Sequence, residues 1–388
     1  MMSSAVPGPV YLDYSATTPL RPEVREAMRP YLEDRFGNPS SIHGHGRDAR
    51  SAVEDSRRQL ISIFGAENAR LVFTGSGSEA DNLAVLGFAR AHPDGCVVRS
   101  SIEHKAVVAA TKALAAGGYD VREAPVDARG VLDLDALAAR LPTDPRPTLV
   151  SVMWANNETG VVQPIEGIAA LCAERGAVIH SDAVQAFGKL PLAPRKLGVS
   201  LVAVSAHKLA GPKGVGALLI DGEVELEPLV YGGGQESGLR SGTHDVAGIV
   251  GLVAAARIAA EEQEREARRL AGLRDRLEST LVSAVPDLVV NGGDAPERLP
   301  NVLNVSLPGV DIEGLLTSLD LEGIRVSSGS ACTTGSVEPS HVMRAMGREG
   351  DLARNTIRMS LGWGTNESDI EYVLERFPKI VERVRAFA

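Results

Sequence analysis

Of the 40 basic residues only seven are lysines, at positions 105, 112, 189, 196, 208, 213 and 379. Arginine can supply surface charge but cannot form a Schiff base, so covalent lysine chemistry falls to these few. Lys208 closes the run Ser205-Ala-His-Lys208, between an apolar stretch and the glycine-rich Gly211-Pro-Lys-Gly-Val-Gly216. At a buried strand end its amine would lose protons easily and become a nucleophile; on a surface loop it would be a solubilising charge. The glycine run lacks the spacing of a phosphate-binding P-loop and reads as a turn into the next strand.

Four further clusters have chemical potential. Asp182, in His180-Ser-Asp182-Ala-Val-Gln185, also ends an apolar run. A buried aspartate there needs a cationic partner, such as a protonated pyridine nitrogen, or else caps a helix. Thr74-Gly-Ser-Gly-Ser-Glu79 joins a strand to a helix, where small residues and free N–H groups suit a single phosphate as well as an ordinary cap. Glu103-His104 opens a helix, so the imidazole either stacks on a ring and moves protons or serves as a cap. Thr356-Ile-Arg358-Met-Ser360 alternates, which puts Arg358 on a polar face able to grip a carboxylate, or merely solvated. His43-Gly-His45 has no third ligand at suitable spacing, and no metal site is expected.

Cys332 lies in Ser327-Ser-Gly-Ser-Ala-Cys-Thr-Thr-Gly-Ser336, a run with no side chain larger than threonine. Such a stretch buries little apolar area, so a mobile loop is expected. A thiol there is better explained by reactivity than by packing. Cys96 and Cys172 sit in apolar strand and helix patterns and read as core.

The elements that must position these residues follow from periodicity. Strands are expected at Leu71–Thr74, Cys96–Ser100, Thr148–Trp154, Ala177–His180, Leu201–Ser205 and Ala217–Ile220, with helices at Ser78–Arg90, His104–Ala116 and Ile165–Arg175 between them. That alternation predicts an α/β fold, a mostly parallel sheet between two helical layers, with polar residues after the strands facing any ligand. From Asp245 to Val285 one long helical pattern runs through a charged middle, long enough that a kink would be no surprise. It leads toward a smaller C-terminal part.

The composition narrows the function classes. A length of 388 residues suggests two or three domains. Fifty acids against 40 bases give a net charge of −10, which argues against direct nucleic-acid binding. Apolar residues make up 44%, yet no run approaches the ~20 residues that span a bilayer. Three cysteines, no disulfide framework and a start without a secretory pattern point to the cytoplasm.

Taken together, the chain resembles the cysteine desulfurases of the NifS/IscS type, class-V aminotransferases within the fold-type I pyridoxal phosphate (PLP) enzymes. The resemblance rests on Tyr11-Leu-Asp-Tyr-Ser-Ala-Thr-Thr-Pro19, Phe36-Gly-Asn-Pro-Ser40, Glu103-His-Lys-Ala-Val107, Asn156-Asn-Glu158, Ser181-Asp-Ala-Val-Gln185, Ser205-Ala-His-Lys-Leu-Ala-Gly-Pro-Lys-Gly214, Arg240-Ser-Gly-Thr243 and Ser328-Gly-Ser-Ala-Cys332, in that order. It implies a large PLP-binding domain over 15–259 and a small α+β domain formed by 1–14 and 260–388, which carries the cysteine loop. It implies that Lys208 holds PLP covalently, His104 stacks on the ring and Asp182 pairs with the ring nitrogen. Gln185 would bond the ring hydroxyl, with Asn157 nearby. Gly77, Ser78, Ser205 and His207 would hold the phosphate, Thr243 would reach that of a neighbouring subunit in a homodimer, and Arg358 with Asn157 would bind the substrate. The family motif Thr-Ser-Gly-Ala-Thr-Glu appears here as Thr74-Gly-Ser-Gly-Ser-Glu79, and Ser78 keeps the hydroxyl. The implied reaction converts L-cysteine to L-alanine, with a persulfide on Cys332 passed to an acceptor protein, an iron–sulfur scaffold or a tRNA-thiolation protein. Alternatives are a selenocysteine lyase or an aminotransferase on the same fold, or a non-catalytic sulfur carrier. A transaminase needs no loop cysteine, and joint retention of Lys208, His104 and Asp182 speaks against a mere carrier.

Overall fold

The computed structural model describes residues 9–328 and 339–386. Apolar strands that need cover on both faces form a seven-stranded sheet in the order Arg70–Thr74, Gly216–Ile220, Leu201–Ser205, Val178–Asp182, Thr148–Ser151, Cys96–Ser100, Asp120–Ala124. Gly216–Ile220 is antiparallel to both neighbours, and the remaining strands run one way. Successive residues feed opposite layers, as a pleat requires. Val150 and Val202 join a core with Ile179 and Leu252, whereas Leu149 and Leu201 join one with Leu83 and Phe88.

The α/β arrangement expected from the sequence is therefore observed. Asp120–Ala124 was not anticipated, because three of its five residues are charged. As the edge strand it tolerates them: Arg122 pairs with Asp120 at 2.7 Å. The strand expected over Thr148–Trp154 stops at Ser151.

The long helix runs unbroken over Val246–Ala284, 39 residues, with the Asp245 carboxylate capping the Gly248 N–H. Its first half packs Ile249, Leu252 and Val253 against the sheet layer. Its second half contributes Leu270, Leu273, Leu277 and Leu281 to a separate core with Val10, Leu12, Leu303, Ile357 and Phe377. One helix thus serves two cores, and its charged middle is tied to other segments by the Glu262–Arg21 ion pair and the Arg269 bond to the Thr365 carbonyl.

The second core is backed by an antiparallel sheet of Val289–Val290, Val302–Ser306, Thr356–Ser360 and Ser327–Ser328. Val10–Tyr11 pairs with Ile324–Arg325, and Asp13 bridges to Ser360, so the N-terminal residues join the C-terminal part. All five residues of Thr356–Ser360 are buried, so the solvated-face alternative fails for this strand. Its polar face is used internally: Ser360 Oγ accepts from the Ser15 N–H at 2.8 Å. Among the described residues no helix is long and apolar enough to cross a membrane.

Candidate active site

The carboxyl ends of neighbouring strands converge where a doubly wound sheet presents ligands. Asp182 and Ser205 are the last residues of adjacent parallel strands, and Thr74 ends the strand beyond Gly216–Ile220. Over these ends lies a cavity of about 370 Å³. It gathers Gly77, Ser78, Asp182, Gln185, Ser205 and His207 with His104, Asn157, Lys208 and Arg358.

Gly77 opens the helix Gly77–Ala91, and Ser76 caps it by accepting the Glu79 N–H at 3.1 Å. A Cβ at Gly77 would stand 2.8 Å from Val184 Cγ2 and 3.3 Å from Ser205 Cβ. Only glycine lets the helix start press against two strand ends, leaving unpaired N–H groups and a positive dipole end at the cavity.

Lys208 ends the short turn Ala206–Lys208 after the strand, and its Nζ donates to the Ser15 and Ala16 carbonyls at 2.5 and 2.7 Å. Burial, helped by the Arg358 charge, lowers its pKa to about 8, against the pull of Asp182 and Asp13. Lys189 is half-buried, but it donates to the Gln185 carbonyl and does not line this cavity. His207 Nδ1 sits 3.2 Å from Thr17 Oγ1, and burial with the Lys208 charge lowers it to about 4.

His104 caps the helix Lys105–Ala116: its Nδ1 accepts the Ala106 N–H at 3.2 Å. The cap reading therefore holds; it fixes the tautomer and leaves the ring proton on Nε2. Burial lowers the His104 pKa, against the attraction of Asp182. Asp182 is raised to about 6 by burial and by the nearby Asp81, while His104 and the Val184 N–H favour its charged form. The Val184 N–H reaches Asp182 Oδ1 at 2.9 Å.

Arg358 donates through Nη1 to the Asn157 carbonyl at 3.0 Å and through Nη2 to Asp13 at 2.8 Å. Its Nε is buried without a partner, as are Gln185 Oε1 and Asp81 Oδ1. His104, Asn157 and Arg358 also line a second cavity of about 750 Å³, together with Lys105, Leu316, Ser327 and His341.

One expected residue is not in this group, and another is not among the described residues. Thr243 is exposed and does not line the cavity of its own chain. Cys332 lies outside the described residues. Asp81 lines the cavity outside every segment singled out in the sequence, and Ser15 and Ala16 line it from within Tyr11–Pro19, where no role was assigned to them. Asp81 did carry a signal: positions 81, 84, 85 and 88 form an inward helical stripe, and an acid occupies the first while alanine, valine and phenylalanine fill the others. Ser15 and Ala16 contribute backbone carbonyls, which leave no mark in side-chain chemistry.

Comparison with known proteins agrees with this geometry. The aminotransferase class-V family model matches residues 10–373. The chain is 42% identical over 381 residues to the cysteine desulfurase IscS of Dictyoglomus turgidum, covering 98% of this chain and 96% of that one. Among solved structures, a NifS-like protein superposes with a TM-score of 0.90 at 36% identity, covering 97% of this chain and 100% of the other. SspA in complex with cysteine superposes with a TM-score of 0.78 at 34% identity, over 90% of this chain and 98% of that one. The fold is thus the fold-type I, aminotransferase-like architecture, and the chain belongs to the aminotransferase class-V family, among its cysteine desulfurases of the IscS/NifS type.

Proposed function

We propose that this chain is a PLP-dependent cysteine desulfurase that converts L-cysteine to L-alanine and receives the sulfur on Cys332. The observation that carries the reading is one cavity holding a partly deprotonated lysine, a strand-end aspartate, a helix N-terminus and a buried arginine with a free Nε. The residues fit the cofactor. The start of Gly77–Ala91, with Ser78, Ser205 and His207, would hold the phosphate; Asp182 the ring nitrogen; the unpartnered Gln185 Oε1 the ring hydroxyl; Lys208 the aldehyde carbon. When bound, PLP supplies an electron sink that loosens the substrate's carbon–sulfur bond.

The chain's own groups do the rest. Arg358 and Asn157 orient the substrate carboxylate, so the amine meets Lys208 and the thiol extends toward the second cavity. Lys208, with its pKa near 8, exchanges protons on either side of neutrality. His104 presents an Nε2–H donor beside Asp182. Ser327 pairs with Arg358 and its strand ends at Ser328, four residues before Cys332, a reach of roughly 14 Å at most. In the net reaction the Cys332 sulfur bonds to the substrate sulfur as the carbon–sulfur bond breaks. The persulfide keeps one hydrogen, and the other goes to the carbon that leaves as alanine.

The reading extends to a homodimer in which the exposed Thr243 completes the partner's phosphate site. Its segment is tied to the phosphate loop by Arg240, whose Nε donates to Glu79 at 2.8 Å. It also covers a large domain over 15–259 and a small one from 1–14 and 260–388, supported by the separate core around Leu12 and Phe377. The acceptor would be an iron–sulfur scaffold or a tRNA-thiolation protein, in the cytoplasm. Borohydride reduction followed by mass spectrometry tests the central claim: the pyridoxyl adduct should sit on Lys208, and an adduct on Lys105, Lys189 or Lys213 would overturn it.

A further inference from the structure

Beside Asp182 the cavity holds a second acid. Asp81 is 1% exposed, and the donor atoms of Asp81, Asp182 and His104 all lie within 4.8 Å of one another. On its other side, Asp81 Oδ1 is 3.5 Å from Nε2 of His180. The His180 Nδ1 is 2.9 Å from Ser151 Oγ, and both residues are fully buried. The titratable groups facing Asp81 are therefore His180 and Asp182 from the strand Val178–Asp182, and Glu103 and His104 ahead of the helix Lys105–Ala116. Among the described residues no lysine or arginine forms an ion pair with Asp81 or Asp182.

Two carboxylates this close in a desolvated pocket do not both ionise at neutral pH, because each charge is costly and they repel. The supports are unequal. Asp182 has the Val184 N–H and the attraction of His104, whereas Asp81 Oδ1 has no hydrogen-bond partner. Burial accordingly pushes Asp81 up to about 8, above the value of about 6 for Asp182. The Asp81 proton also has a place to go in a consistent chain. Asp81 Oδ1 and His180 Nε2 are 3.5 Å apart and neither has a hydrogen-bond partner; with the His180 proton on Nδ1, facing Ser151 Oγ, an acid O–H on Asp81 would aim its hydrogen at the free lone pair of Nε2.

We propose that Asp81 is a positioning residue of the cofactor subsite: it stays a neutral carboxylic acid between His180 and Asp182, so that the ring-nitrogen end of the cavity carries one negative charge, on Asp182. One carboxylate balances one ring cation; a second would leave an uncompensated buried charge and weaken the pull on the ring electrons. This rests on the PLP reading given above, but its first test does not.

The full-length protein as purified, labelled with ¹³Cγ-aspartate, should show one neutral aspartic acid resonance at pH 7. That resonance should be missing from Asp81→Asn, or from Asp81→Ser should the amide variant not fold. No neutral aspartate, or one that survives both substitutions, overturns the proposal whatever the cofactor. The second measurement is PLP retention. Asp81→Leu leaves His180 Nε2 facing an apolar group and should weaken retention at least tenfold. Asp81→Asn donates from the same place without charge and should restore it to within about threefold. An asparagine variant as poor as the leucine variant would show that Asp81 acts as an anion, and the proposal would fall.

Discussion

An amine that is nucleophilic because it is buried must cost the folded protein stability wherever it is charged. Lys208 falls from 10.5 to about 8 on folding, chiefly through burial and then through the Arg358 charge. Between those two values the unfolded chain holds a proton that the folded chain has released, so stability rises with pH from 8 to 10.5. Below 8 the whole penalty stands. At about 1.4 kcal/mol per pH unit it amounts to roughly 3 kcal/mol at pH 7. Replacing Lys208 with methionine keeps the stem and removes the amine. The Ser15 and Ala16 carbonyls then lose their donor, an offset of about 1 kcal/mol or somewhat more. The cofactor-free Lys208→Met protein should therefore be about 1–2 kcal/mol more stable than the parent at pH 7, while unable to hold PLP covalently. Urea unfolding of both cofactor-free proteins at pH 7 and pH 10 measures this. The variant's advantage should shrink or reverse at the higher pH. A variant no more stable than the parent at pH 7, or one whose advantage is the same at both values, would refute the burial argument and with it the account of why this lysine is reactive.

Other substitutions probe other parts. Arg358→Lys loses the planar fork that spans Asn157 and Asp13, and should raise the KM for cysteine and the inhibition constant of alanine together, by roughly 10- to 100-fold; an unchanged alanine constant would remove Arg358 from carboxylate binding. Cys332→Ser should still show the cysteine-induced spectral change but make little alanine and carry no persulfide. Cys96→Ser and Cys172→Ser, both buried, should keep activity apart from stability losses, and alanine release with persulfide labelling separates the three. Arg57→Met strips the buried Glu236 carboxylate of two 2.8 Å bonds and should cost about 3–5 kcal/mol at pH 7. Burial alone would raise Glu236, but the bonds from Arg57 and His244 outweigh it and hold the group near 2 rather than 4.5. Its stabilisation is therefore present above 4.5 and lost as pH falls toward 2, so the gap between parent and variant should narrow in urea titrations at pH 7 and pH 4.

The sequence by itself determined the layered α/β fold, because period-two and period-3.6 patterns report burial directly. Strands such as Leu201–Ser205 and the helix Val246–Ala284 could be read almost residue by residue. It also offered Lys208, Asp182, His104 and the turn Thr74–Glu79 as candidates, each beside an ordinary structural reading, and the family resemblance gave them their roles. What it left open was which alternative held at each place, and only tertiary contact decides that. Arg358 alternates with apolar neighbours whether its face is wet or dry; packing against Asp13 and Asn157 makes it dry. Asp81 is an acid on a helix, unremarkable until the fold sets it within 4.8 Å of donor atoms on Asp182 and His104, more than twenty residues away in the chain. The Ser15 and Ala16 carbonyls that receive the Lys208 amine carry no side-chain signature. A pKa belongs to a neighbourhood, and neighbourhoods are assembled from strand ends distant in sequence, so the chemistry of each group was fixed only when the sheet brought those ends together.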